Sequence, residues 1–210
     1  MGIFAATLIV CGAAVATAGI VDLEESTADA ATTGTLSLFC LPNGAGSAFA
    51  EAYVKGGSGG ATVGADATIT LTLRDSGGFV IANYSAEDLW LQWTVEVDLY
   101  VCVGGTIADG DTDAAGQTEW AQPLGLGGHA EVLVQVRING DALTSSGGIA
   151  LHVNSADITS DGVVNLADVG QFSSDYANPT VQYRSDFAND GVMNVADVGK
   201  MALGVGASCP

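Results

Sequence analysis

Positive charge is what this chain lacks most. Lys and Arg together number 5 against 24 Asp and Glu, a formal net charge of −19 over 210 residues. Those five (Lys55, Arg74, Arg137, Arg184 and Lys200) are scattered and form no patch. Phosphate backbones are held by clustered Lys and Arg, so unaided nucleic-acid binding is excluded. Histidine is also scarce: His129 and His152 lie beside apparent strands, with no Cys or Glu at ligand spacing, and read as structural. The four cysteines, Cys11, Cys40, Cys102 and Cys209, contain no Cys-x-x-Cys, which argues against zinc. Without zinc spacing they are expected to form disulfides, as in chains of oxidising compartments. Three pairings are possible; Cys102 with Cys209 is the expected one, leaving Cys11 with Cys40, within one chain or across two, or as buried thiols.

Catalytic signatures are missing as well. The chain has no Gly-x-Ser-x-Gly elbow, no His-Glu-x-x-His, no phosphate-binding glycine loop after a strand and no local Cys/His pair. Paired carboxylates carry no weight where acids are so numerous. A non-enzymatic role is expected; a hydrolase would need a site assembled from distant residues.

Long helical patterns are absent between residues 34 and 153, where short β-branched and aromatic runs alternate with Gly, Asn and Asp. Strands are predicted at Thr35–Leu41, Ala48–Lys55, Ala67–Arg74, Phe79–Asn83, Leu89–Thr94, Asp98–Val103, Gln117–Ala121, Ala130–Asn139 and Ile149–Val153. Thr68-Ile-Thr-Leu-Thr-Leu has period two, one face inward and one toward water. Asp75-Ser-Gly-Gly78 and Asn139-Gly140 mark hairpin turns, and Gly56-Gly-Ser-Gly-Gly60 reads as a flexible loop. Many short strands with frequent turns predict a mainly β fold, a two-sheet sandwich of immunoglobulin-like or jelly-roll type. Leu71-Thr-Leu-Arg-Asp-Ser-Gly-Gly-Phe-Val and Thr112-Asp-Ala-Ala-Gly-Gln-Thr resemble bacterial immunoglobulin-like domains of surface proteins. Asp109-Gly-Asp111-Thr-Asp113 reads as a solvated loop tip. Trp90, Trp93 and Trp120 read as packing residues rather than a sugar platform, since Trp90 and Trp93 fall on opposite faces of one strand. Asn83-Tyr-Ser85 is a sequon, so an attached glycan depends on the host.

The most specific signal is a repeated loop near the C-terminus. Asp157-Ile-Thr159-Ser-Asp161-Gly162-Val163-Val164-Asn165-Leu-Ala-Asp168 and Asp186-Phe-Ala188-Asn-Asp190-Gly191-Val192-Met193-Asn194-Val-Ala-Asp197 place Asp, Asp, Gly, Asn and Asp at identical offsets. This is the spacing of an EF-hand calcium loop ending in Asp: alternate side chains and one carbonyl supply oxygens to a hard cation, and the Gly permits the sharp turn. Capping of two short helices by Asn and Asp is the plainer alternative.

These residues resemble the paired loops of dockerin modules, from Asn154 to Pro210. The resemblance implies a Ca2+ ion in each loop and short helices at Leu166–Asp175 and Val195–Leu203. It implies as ligands Asp157, Thr159, Asp161, the Val163 carbonyl, Asn165 (directly or through water) and Asp168. In the second loop it implies Asp186, Asp190, the Val192 carbonyl, Asn194 and Asp197. Thr159 and Ala188 stand where the family usually has Asn or Asp; Ala188 cannot ligate by its side chain, so the second site is expected to be weaker or to take an extra water.

Met1–Val21 carries no charge and ends in Ala16-Thr-Ala18, the outline of a secretory segment without its basic start. It reads either as an assembly strand that completes the sheet of a neighbouring copy or as a signal peptide; membrane anchoring is the weakest option. The expected organisation is Met1–Val21, a linker at 22–33, the sandwich at 34–153 and the calcium module at 154–210. The expected role is an extracellular or cell-surface structural subunit whose partners are copies of itself. The alternative is a calcium-dependent plug for a cohesin-like receptor.

Overall fold

The computed structural model describes residues 19–55, 63–94 and 98–210. Met1–Ala18, with Cys11 and most of the expected assembly or signal segment, and the Gly56–Gly60 loop lie outside the described residues. The strands are β1 (Thr27–Ala30), β2 (Leu36–Cys40), β3 (Ala52–Val54), β4 (Val63–Ala65), β5 (Ile69–Thr72), β6 (Leu89–Trp93), β7 (Leu99–Val101), β8 (Gln117–Trp120), β9 (Leu126–Ala130), β10 (Val134–Ile138), β11 (Asp141–Ala142) and β12 (Leu151–Ser155). Helices α1 (Leu166–Tyr176) and α2 (Val195–Gly204) follow. The fold is mainly β, as expected.

The strands form a six-stranded sheet, β4-β3-β2-β12-β9-β7, and two three-stranded sheets, β1-β5-β8 and β11-β10-β6. All named pairings are antiparallel except β2 with β12. Alternation decides which side chains go inward. Ile69 and Leu71 of β5, Leu89, Leu91 and Trp93 of β6, and Val134, Val136 and Ile138 of β10 are buried, while their neighbours are partly or fully exposed. They join Leu36 and Leu38 of β2, Trp120 of β8 and Leu151 and Val153 of β12 in one core shared by all three sheets, an arrangement consistent with a sandwich. Trp93 and Trp120 are core residues with their indole N–H groups satisfied by the carbonyls of Leu151 and Thr106.

Several expected elements move. The 22–33 linker contains β1, paired with β5 through Thr27 to Thr72; its Thr-Ala-Asp-Ala sequence carries no strand signature, and pairing with a strong neighbour supplies what propensity does not. Phe79–Asn83 is not a strand: Phe79 is 74% exposed, and one bridge from Arg74 to Val80 closes the Asp75–Gly78 turn. Asn83, exposed in the sequon, takes φ 57°. Ala130–Asn139 spans the end of β9, a break and β10. The Asn139-Gly140 turn is as expected, with φ of 50° and 96° leading into β11. Asp113 accepts from Ala115 and Gln117 N–H within its own turn, Asp111 from Ala86 N–H and Asp109 from Ala121 and Gln122 N–H, as a turn-capping run does.

Strand β2 is buried along its whole length, on both faces. One face enters the core; the other presents Phe39, followed by Leu41, to a second cluster with Ala156, Ile158, Val164, Phe172, Phe187, Met201 and Ala207. Phe39 and Phe187 lie 5.3 Å apart and Phe187 stacks on Phe172 at 5.7 Å. The helix pair therefore packs on the six-stranded sheet. Gly204 permits the contact, because a Cβ there would meet Ala156 at 2.5 Å and Leu41 at 2.9 Å. The Lys200 ammonium lies over Phe39 at 4.7 Å. Cys102 and Cys209 form the expected disulfide. Among the described residues Cys40 has no disulfide partner; it is buried, and burial pushes its thiol far up in pKa, with Lys200 only partly opposing the shift.

Candidate metal centre

Strand β12 crosses the expected 153/154 boundary and delivers the chain directly into the first loop. Asp157 is fully buried; its Oδ1 accepts from Asp161 N–H at 3.2 Å and its Oδ2 from Gly162 N–H at 2.8 Å. Asp168, also fully buried, accepts from the Thr159 N–H and hydroxyl, both at 2.9 Å, and from Asn165 N–H at 2.8 Å. Exposed Asp161 accepts from Val163 N–H at 3.0 Å. The second loop repeats this pattern. Asp186 accepts from Asp190 and Gly191 N–H at 3.2 and 2.9 Å, and Asp197 from Ala188 and Asn194 N–H, each at 2.9 Å. Asp190 accepts from Val192 N–H at 2.9 Å. The missing partner is the hydroxyl, since Ala188 replaces Thr159.

Asn165 and Asn194 cap the helices, their Oδ1 atoms accepting from Ala167 and Ala196 N–H at 2.8 and 2.7 Å. Their Nδ2 groups turn back to the carbonyls of Val163 and Val192, each at 3.2 Å, and to Asp161 and Asp190. Each Asn thus ties the helix start to the oxygens of its own loop. The helices lie where the sequence reading puts them.

In each loop three carboxylates converge: Asp157, Asp161 and Asp168, and Asp186, Asp190 and Asp197, each offer an oxygen within 4.8 Å of the others. Ionised carboxylates this close repel one another, most strongly where burial removes the screening water. Asp157, Asp168, Asp186 and Asp197 are buried, and among the described residues no Lys or Arg pairs with them. Buried charges need a partner ion or must neutralise. Burial pushes the pKa of Asp157 and Asp197 up and that of Asp186 to about 6; loop N–H groups oppose the shift, and neighbouring carboxylates add to it. The donors are all oxygen, which suits a hard divalent cation.

No family model, curated protein or solved structure matches the chain. The site is therefore read from its own geometry.

Three features of the loops escape sequence reasoning. The fourth position, Ser160 or Asn189, is left-handed, with φ of 58° and 54°, and each anchors its loop to the sheet. Ser160 Oγ donates to the Asp98 carbonyl at 2.7 Å, and Asn189 Oδ1 accepts from Ser37 Oγ at 2.6 Å. The tolerance of Asn for left-handed φ is a usable signal; Ser160 carries none. Gly127 and Gly128 of β9 form the floor under loop 1: a Cβ on Gly127 would meet Asp157 Oδ2 at 1.9 Å, and one on Gly128 would meet Ser160 Oγ at 2.1 Å. Finally, Asp175 of α1 holds the chain that enters loop 2, accepting from Arg184 at 2.8 Å and from Ser185 Oγ at 2.7 Å.

Proposed function

We propose that each loop binds one Ca2+ and that the two ions fasten the helix pair onto a secreted β-sandwich, giving an extracellular structural protein without catalytic activity. The observation that carries this reading is the set of four buried aspartates with which, among the described residues, no Lys or Arg forms an ion pair. All six loop aspartates, including Asp161 and Asp190, are the ligands with the carbonyls of Val163 and Val192; Thr159 contributes its hydroxyl, and Asn165 and Asn194 act through water because their oxygens cap the helices. A bound cation cross-links loop segments that otherwise repel. The second site, lacking a donor at Ala188, is the weaker.

Integration into the sheet supports a structural role. Loop 1 rests on β9, strand β2 contributes to both apolar clusters, and a disulfide ties the tail after α2 to the turn after β7. The disulfide also fits an oxidising compartment, and no helix among the described residues is long and apolar enough to cross a membrane. Assembly into a fibre or surface layer through Met1–Val21 is the larger proposal. Electron microscopy of the secreted protein with and without a chelator tests it. Filaments that shed Met1–Val21-deleted copies as monomers support the reading; monomers with the segment intact sink it.

A receptor-binding reading is favoured by one observation. Leu166, Val195 and Leu203 are 82%, 81% and 79% exposed on α1 and α2, beside an apolar groove of about 430 Å3 lined by Val169, Phe172, Tyr176, Val198 and Met201. A cohesin-like partner captured only with calcium, and lost on Leu166→Asp with unchanged thermal stability, would move the assignment there.

A further inference from the structure

The tail after α2 belongs structurally to loop 1. Gly206 N–H donates to the Val164 carbonyl at 2.9 Å, Val164 N–H to Ala207 at 2.8 Å and Cys209 N–H to Gly162 at 2.9 Å, a short antiparallel bridge centred on Val163 and Ser208. These bonds fix the peptide groups on both sides of Val163, whose carbonyl is the backbone ligand. Loop 2 has no counterpart: among the described residues, no backbone-to-backbone hydrogen bond reaches Gly191, Val192 or Met193.

The tail is itself held at its far end. Cys209 is bonded to Cys102, which lies in a turn tied by three backbone bonds: Cys102 N–H to Gly125, Gly105 N–H to Cys102 and Gly125 N–H to Gly105, at 3.0, 2.8 and 2.9 Å. Gly105 and Gly125 approach so closely that a Cβ on Gly105 would lie 2.0 Å from the Gly125 carbonyl. The region around β7 therefore grips loop 1 twice, at Ser160 through Asp98 and at Gly162–Val164 through the disulfide-bonded tail.

We propose that the segment Gly206–Cys209, held by the Cys102–Cys209 disulfide, is a positioning element of the first calcium site, so that the affinity of site 1 depends on the disulfide and that of site 2 does not. The inference rests on the calcium reading above. A dithiol reductant cleaves the S–S bond with two electrons and two protons, leaving thiols on Cys102 and Cys209 while the reagent closes to its own disulfide. The tail is then held to the loop by its backbone bonds alone, with one end free, and the Val163 carbonyl loses its fixed direction. Full affinity at site 1 thus follows oxidation, which couples calcium uptake to arrival in an oxidising compartment.

Calcium titration calorimetry on the full chain tests this, comparing the oxidised protein with the dithiol-reduced protein and with the Cys102→Ser, Cys209→Ser double variant. Asp161→Ala and Asp190→Ala assign the two binding steps. Loss of an outer support of a metal ligand costs on the order of 10- to 100-fold in affinity, and that weakening is expected at site 1 alone. Site 2 reports whether the fold survives. Gly206→Ala, which strains the left-handed start of the tail (φ 87°) with the disulfide intact, is expected to weaken site 1 in the same direction, should the cysteine variant not fold. Unchanged affinity at site 1, or equal weakening of both sites, overturns the inference while leaving the calcium assignment in place. An oxidised chain that takes up no calcium overturns both.

Discussion

At the scale of single residues, two positions separate the loops from each other and from their surroundings. Gly127 has no role in the loops' own sequence, yet its missing Cβ is what lets Asp157 occupy its place, 1.9 Å from where that atom would be. Gly127→Ala is therefore expected to displace Asp157 and lower calcium affinity at site 1 by about tenfold or more, with site 2 unchanged in the same titration. Ala188 differs from Thr159 by a donor. Ala188→Asp adds a carboxylate oxygen at the third loop position and is expected to raise the affinity of site 2 by about tenfold, since ligand charge tunes such loops. Failure of that variant to gain affinity would mean that the side chain at 188 does not face the ion.

At the scale of elements, the join between α1 and the second loop is electrostatic where the rest is apolar. Burial works against ionisation of Asp175, but the hydrogen bonds of Arg184, Ser185 and Gln171 outweigh it and hold the carboxyl below its ordinary pKa. A depressed folded pKa means stability that is fully present above the unfolded value, about 3.9, and is lost as pH falls through the folded one. Asp175→Asn should cost about 1–3 kcal/mol near neutral pH and flatten the acid limb of a stability profile, read by chemical denaturation at successive pH values. Phe172→Ala, which removes the ring stacked on Phe187, should cost roughly 3–5 kcal/mol in the same assay. The elements differ in how far their sequences announced them. Both helices and both loops were legible because Asn-x-x-Asp caps and Asp-Gly turns act within a few residues. Strands β5, β6 and β10 were legible because apolar residues alternate. Strand β1 was not, because Thr-Ala-Asp-Ala becomes a strand only beside β5, and β9 was not, because Gly127-Gly128 is there to make room for loop 1. The Cys102–Cys209 pair could be expected; its attachment to Val163 through the tail could not, since that depends on where α2 ends in space.

At the scale of the whole molecule, the six loop aspartates place a quarter of the 24 acidic side chains where ions would neutralise them, in a chain of net charge −19. Chelation is expected to lower the melting temperature; binding at 100 times Kd supplies about 2.7 kcal/mol per site, and differential scanning calorimetry with calcium and with a chelator measures it. The parallel pairing of β2 with β12 has a consequence in time rather than in space. Leu36 meets Leu151, and Phe39 meets the helices only after the last fifty residues are present. The middle of the largest sheet therefore cannot close while the C-terminal end is still being made or moved, and closure over so long a separation is slow. A chain of this kind keeps its largest sheet open until its whole length is present, and its final step is the one in which Phe39 is covered and the loops close; on the calcium reading proposed above, that is the step the ion assists. Refolding followed by tryptophan fluorescence should accordingly show early sandwich signals that calcium leaves alone and a late phase that it accelerates.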